Sequence, residues 1–346
     1  VGGAGGRCPR LPVNVRVLSV TGFLVRRLLN YVVLVFVATF VAFALASTTF
    51  DPIGVLQQRN PPPPASTLDA KRHDLHLDQP IPERFATWLG GVVKGDFGQT
   101  VTGRPITDEL GRRMGVSLRL FLLGITLGIL LGVLLGVVSA VRQYKFSDYF
   151  ATLCSFVLLA TPVFVLGPLL KSWALDFNHL TGSGFLQYTG EATPNFAGSW
   201  GEALVDRLRY LIVPTFTIAL GQIAYYSRYQ RSSMLDVLGS DFVRTAQAKG
   251  LTRRKALFKH GMRTALIPMA TLFAFGFGLL VVGGTFTEKI FTWHGMGEWL
   301  VDGVSTQDTN VTAAVTLFVA VCVLFSGWLS DVLYAVLDPR IRVWAR

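Results

Sequence analysis

The chain has 346 residues, 51% of them hydrophobic and only 15% charged, with a formal charge of +11 and a mean hydropathy of +0.47. A soluble domain carries roughly 25% charged residues. A chain so poor in charge cannot cover a water-facing surface, so an ordinary soluble domain and a disordered chain are both excluded, and lipid is the expected solvent. The positive excess alone would suit nucleic acid, anionic lipid or an acidic partner, so the positions of the charges must decide.

Residues 1–27 form the expected amino-terminal cytoplasmic tail. Its first 19 residues are rich in Gly, Pro and Arg and contain no small-residue cleavage site. Apolar runs of about 20 residues, the length that crosses a bilayer as a helix, occur at 28–48, 120–141, 149–170, 211–226, 266–287 and 311–337. The fourth is short and carries Pro214 and Gln222; the last is long enough to tilt. The expected fold is therefore an all-α integral membrane protein with six transmembrane helices. A permease-like core would span 118–337 and a short tail 338–346.

Between the first two spans, 49–117 is a large external loop that begins with the proline run 61–64, extended and solvated. Near its end Pro105 can open a helix with Ile106, Leu110 and Met114 on one face. Asp108 and Glu109 fall in its first turn, with Arg112 and Arg113 four residues on. This predicts an interfacial helix lying on the outer membrane surface, or else one packed on other loops.

With the amino terminus inside, the tail, the 142–148 connection, the 227–265 loop and the carboxyl tail hold nineteen cations and four anions. Inside is then +15 and outside about −3 once Asp331, within the last span, is set apart. By the positive-inside rule both termini are cytoplasmic. Nine of the inner cations lie on the 227–265 loop alone.

The second span carries Gly124, Gly128, Gly132 and Gly136 at four-residue spacing, a ridge without side chains that admits a close helix neighbour in lipid. The fifth, with Gly276, Gly278, Gly283 and Gly284 among phenylalanines, is the candidate flexible helix. No span places a charge near its centre, so a proton or ion relay lacks its usual residues. Asp331 is expected to pair with a cytoplasmic arginine or reach the interface. Pro162 and Pro214 are expected to bend their spans. Cys8, Cys154 and Cys322 form no CxxC pattern, and neither a disulfide framework nor a metal site is expected.

The basic loop is the most informative stretch. Ser240 is a candidate N-cap, and Asp241, Phe242, Val243, Arg244, Thr245, Ala246, Gln247, Ala248 and Lys249 follow it as a short helix. Gly250 ends that helix before Leu251, and a second helix from Thr252 runs into Pro268. Phe242 and Ala246 share a face suited to docking in a groove of another protein. The alternative is a basic helix held against anionic headgroups.

This loop resembles the cytoplasmic motif of permease subunits of bacterial ATP-binding-cassette importers, in which an EAA-type segment with a glycine forms the coupling helix. Arg244-Thr-Ala246 stands where many members have Glu-Ala-Ala, and Gly250 matches the glycine. Phe23-Leu-Val-Arg-Arg-Leu-Leu-Asn30, Leu77-Asp-Gln-Pro-Ile-Pro-Glu-Arg84, Gly95-Asp-Phe-Gly98 with Gly103-Arg-Pro105, Glu288-Lys-Ile-Phe-Thr-Trp-His-Gly-Met-Gly297 and the stretch from Asp331 to Arg342 are similar, in order, to the B-type subunit of the dipeptide and oligopeptide branch. Thr49-Phe50 departs from its more usual Pro-Gly. The resemblance implies a C-type permease partner, two ATPase subunits that bind ATP and magnesium, an external solute-binding protein and a peptide cargo. Nickel, glutathione or haem are the alternative cargoes on the same plan. The chain has no Gly-Lys pair, hence no Walker A loop, so it is not itself an ATPase and holds no cofactor of its own. Gln222, Tyr225, Thr271 and Thr285 are candidate pathway residues by position. A channel or secondary carrier is the competing class, and a nucleic-acid partner is not required.

Overall fold

The computed structural model describes residues 20–58 and 60–337, apart from the side chains of 20–24, 260, 271, 274–283 and 334–337. The tails 1–19 and 338–346, with Cys8, and the side chain of Thr271 thus lie outside the described residues, and of Gly276, Gly278 and Gly283 only the helical backbone is described. The described chain is helical, with one isolated β-bridge between Gln99 and Pro105. Three helices are long and apolar enough to cross a membrane, or four if one bent pair is counted as a single span.

Helix α1 (Val20–Thr49) begins inside the expected tail, so 20–27 is helix and carries Arg26 and Arg27. It lies along α13 (Thr309–Leu337). The Arg27 Nη1 donates to Asp331 Oδ2 at 2.8 Å, and the Tyr31 hydroxyl donates to the same oxygen at 3.0 Å. Of the two expectations for Asp331, pairing with an arginine is the one observed, and Arg27 is that arginine.

The external segment folds into α2 (Pro52–Gln57), α3 (Ala65–Asp74) and α4 (Ile81–Val93). Phe85 of α4 sits edge-on to Phe36, Phe40 and Phe43 of α1, with ring centroids 5.1–5.5 Å apart. This geometry favours the positive ring edge on a negative face.

The interfacial helix expected from Pro105 is corrected. Helix α5 (Ile106–Val141) is one continuous element of 36 residues, whose first turns are the proposed surface helix and whose remainder is the second span. Nothing after Pro105 breaks it, and Ile106 and Leu110 are buried with Phe85, Trp88, Met296 and Trp299. Its apolar face packs on protein. Glu109 accepts from Arg112 and Arg113 at 3.1 and 2.9 Å, as acids and bases one turn apart on a helix do.

The third expected span is two helices, α6 (Phe146–Ala160) and α7 (Val163–Thr181), bent by 111°. Pro162 lacks an N–H and forces Thr161 into extended backbone at φ −89°, ψ 113°. The fourth is far longer than its apolar run: α8 (Trp200–Leu238) has 39 residues, about 58 Å at the α-helical rise. Ser199 and Glu202 form a capping box at its start. It passes through Pro214 and continues over 227–238, which the sequence alone suggested to be loop. Next come α9 (Asp241–Ala248), α10 (Arg253–Ala256), a π-turn (Leu257–Gly261) and α11 (Met262–Phe291). A left-handed Thr292 (φ 58°) closes α11 before α12 (Met296–Ser305).

Two poles result among the described residues: α9 and α10 pack at one end of α5, and α4 and α12 at the other. At the second pole Asp308 is buried at the start of α13 and accepts from the Val101 and Val311 N–H groups at 2.6 and 3.1 Å. Burial raises its pKa above the ordinary carboxylate value.

Candidate coupling site

Helix α9 is eight residues long, too short to hold itself in water, so its surroundings must fix it. Ser240 occupies the N-cap position in extended backbone, but its hydroxyl donates back to the Val237 carbonyl at 2.6 Å and makes no capping bond to α9. The other end is well closed. The Gly250 N–H donates to the Gln247 carbonyl at 2.9 Å, and the Leu251 N–H to the Ala246 carbonyl at 3.2 Å, the paired bonds of a Schellman motif. That motif needs a left-handed residue, and Gly250 supplies φ +92° with no heavy atom near its would-be Cβ. The glycine serves backbone conformation, not space.

The face of α9 that meets the protein is Val243 and Ala246, in a cluster with Val137 and Ala140 of α5, Met234 and Val237 of α8, and Ala256 and Leu257. This corrects the expected Phe242–Ala246 face. Ala246 points inward, while Phe242 stays 44% exposed. Asp241, Arg244, Thr245, Gln247, Ala248 and Lys249 are exposed as well. Arg244 lies 3.9 Å from Asp241, with side chains 72% and 99% exposed. Such a pair adds little stability, so both remain available to a partner. The arrangement is a small platform fixed by two residues to the ends of two long helices, with an aromatic ring and mixed charges turned outward.

Those long helices pack closely along the glycine ridge. Gly124 meets Ile218, Gly128 meets Gln222, Gly132 meets Tyr226, and Gly136 meets the Ser227 carbonyl, all on α8. Close to α9 the pair is tied by Asp148, which is buried and accepts two hydrogen bonds from Arg231, one from the Tyr144 N–H and one from the Ser139 hydroxyl. Sequence reasoning missed this tie and counted both residues only as charges. A lone acid after a basic turn, facing an arginine on a polar helix end, was the available signal.

The Gln222 stem packs over Gly128, and Thr285 lies against Gly297 at the far pole. Tyr225 meets Tyr226 edge-on and Tyr229 at a tilt, centroids 5.4 and 4.8 Å apart.

Long apolar helices, a glycine-packed helix pair and a platform offered beyond them describe an integral membrane protein. Residues 128–343 match the family described as binding-protein-dependent transport system inner membrane component, and 20–106 match its N-terminal component. The chain belongs to this family. It is 55% identical over 323 residues to the oligopeptide transport system permease protein OppB of Mycobacterium tuberculosis, covering 93% of this chain and 99% of that one. It is 36% identical over 268 residues to the oligopeptide transport system permease protein AppB of Bacillus subtilis, covering 77% and 82%. With the glutathione transport system permease protein GsiC of Escherichia coli it shares 30% over 323 residues, covering 92% and 98%.

Proposed function

We propose that this chain is one of two membrane subunits of an ATP-driven importer that carries di- or oligopeptides across the bacterial cytoplasmic membrane. In this reading it spans the bilayer six times, with the α6–α7 pair as one broken span, and both termini and the α9 pole face the cytoplasm. The charge partition supports that orientation. A C-type permease pairs with it, two ATPase subunits bind ATP and magnesium below, and a solute-binding protein delivers cargo above. The chain itself performs no catalysis.

One observation carries the mechanism: α9 is fixed through Val243 and Ala246 to the ends of α5 and α8, with its other residues free. When the ATPase dimer closes on ATP, a helix held this way passes the rigid-body motion to the α5–α8 pair, which opens one side of the path and closes the other. The path lies between the two permeases, with Gln222, Tyr225, Thr271 and Thr285 as candidate lining residues. The cargo follows from relatives named for oligopeptide transport, with the most similar of those quoted at 55% identity. A glutathione permease among the relatives keeps a short peptide-like cargo as the second reading.

The test is co-purification followed by transport in vesicles. Recovery with a second permease and ATPases, and uptake of peptide only with ATP and binding protein, is expected. Uptake by this chain alone would place it with channels or secondary carriers and overturn the proposal.

A further inference from the structure

The ends of α5, α8 and α10 enclose a groove of about 480 Å³ beside, and separate from, the free face of α9. Its open apolar lining is Val138, Val141 and Phe258, which are 45%, 43% and 60% exposed. Its rim holds Arg142, Arg253 and Arg254, all exposed. None of these three guanidinium groups has an ion pair or side-chain hydrogen bond among the described residues.

Two costs coincide here. Three like charges gathered at one rim repel each other, and apolar side chains left in water give up transfer free energy. An acidic soluble segment would answer the first cost and leave the second. Arg142 immediately follows the apolar run of α5, so the groove sits where hydrocarbon gives way to headgroups. One ligand chemistry satisfies both halves at that depth: an acyl chain along Val138, Val141 and Phe258, and a phosphate among the arginines. Basic pockets between membrane helices on the cytoplasmic side are suited to anionic headgroups.

We propose that this groove is a binding site for an anionic phospholipid of the inner leaflet. Leu257 lines the groove and also belongs to the cluster under α9, so an occupied groove steadies the seat of the coupling helix. The inference rests on the orientation given under Proposed function.

The experiment uses the complete purified transporter in nanodiscs that mix phosphatidylglycerol with phosphatidylcholine, each doped in turn with a photo-crosslinking analogue. The anionic analogue is expected to label peptides containing 138–142 and 253–258, and the zwitterionic analogue is not. The triple variant R142Q/R253Q/R254Q should lose that preference by about 100-fold, near fivefold per arginine, and R142K/R253K/R254K should keep most of it. Equal labelling by both lipids, labelling elsewhere, or loss of the ATPase subunits from the triple variant with lipid capture unchanged would each overturn the site. Wild-type crosslinking decides the matter even if the triple variant misfolds. An impermeant maleimide applied to whole cells carrying Lys145→Cys, an exposed site off α9, with Cys8, Cys154 and Cys322 replaced by serine, separates the two possible failures: labelling before lysis refutes the orientation, whereas labelling only after lysis, without lipid capture in nanodiscs, refutes the groove alone.

Discussion

Arg231 holds Asp148 through two hydrogen bonds, Nε to Oδ1 at 2.7 Å and Nη2 to Oδ2 at 2.8 Å, while the carboxylate side chain is only 3% exposed. A planar guanidinium matches both carboxylate oxygens at once, and lysine cannot. The pair ties the start of α6 to the far end of α8.

Removing Arg231 should therefore cost more than an ordinary surface ion pair. Arg231→Ala leaves a buried carboxylate without its counter-charge, held only by the Ser139 hydroxyl and the Tyr144 N–H, and a loss of about 3 kcal/mol is expected, read as a lower melting temperature in detergent. Arg231→Lys should lose less. The double variant with Asp148→Ala should lose less than the sum of the single ones, since each alone strands the other. Additive losses would show that the pair does not act as a unit.

The glycine ridge predicts a sharp positional contrast. A Cβ at Gly136 would stand 2.5 Å from the Ser227 carbonyl oxygen and 3.0 Å from the Arg231 nitrogen, both backbone atoms that cannot step aside. Gly136→Ala should destabilise the α5–α8 pair by about 1–3 kcal/mol. Gly111, on the same helix, has open space at that position, and Gly111→Ala should be neutral or stabilising by up to about 1 kcal/mol. Equal effects in a melting assay would mean that the ridge does not set the helix spacing.

Much of this was legible in the sequence because lipid imposes a simple grammar. Apolar length located the three helices that are long and apolar enough to cross a membrane, and the four-residue glycine spacing marked a close contact, although it could not name α8 as the partner. What failed depended on tertiary context. Pro162 announced a bend, but the 111° angle depends on how α6 and α7 pack. The segment after Pro105 carried enough charge to resemble a surface helix, yet Ile106 and Leu110 had neighbours from α4 and α12 to cover them. On α9, Phe242 and Ala246 share a face as surely as Val243 and Ala246 do; only the position of α8 and α10 selects the second pair.

That selection separates stability from docking. Val243 is fully buried, so Val243→Ala should cost about 2 kcal/mol in lost apolar burial and residual cavity. Phe242→Ala removes an exposed ring and should leave the melting temperature within about 1 °C, because surface changes away from special features stay near ±0.5 kcal/mol. ATPase recovery on co-purification should respond in the opposite order, falling most for Phe242→Ala. If Phe242→Ala retained the full complement of ATPase, the free face of α9 would not be the docking surface.

Gly250 distinguishes a conformational requirement from a steric one. At φ +92° with nothing within 4 Å of a Cβ, any side chain fits, but a β-branched one is strained there by about 1–2 kcal/mol. Asparagine tolerates the left-handed region better. Gly250→Val should therefore break the closing bonds to Gln247 and Ala246, loosen α9, and cut ATP-driven uptake severely while membrane insertion stays normal. Gly250→Asn should retain a substantial part of that uptake. Steric exclusion would instead penalise both residues alike, and an active Gly250→Val transporter would remove α9 from the coupling path. Measuring ATP hydrolysis alongside uptake completes the argument: a loosened platform spends ATP without moving cargo, so uptake per ATP hydrolysed should fall in the order Gly, Asn, Val.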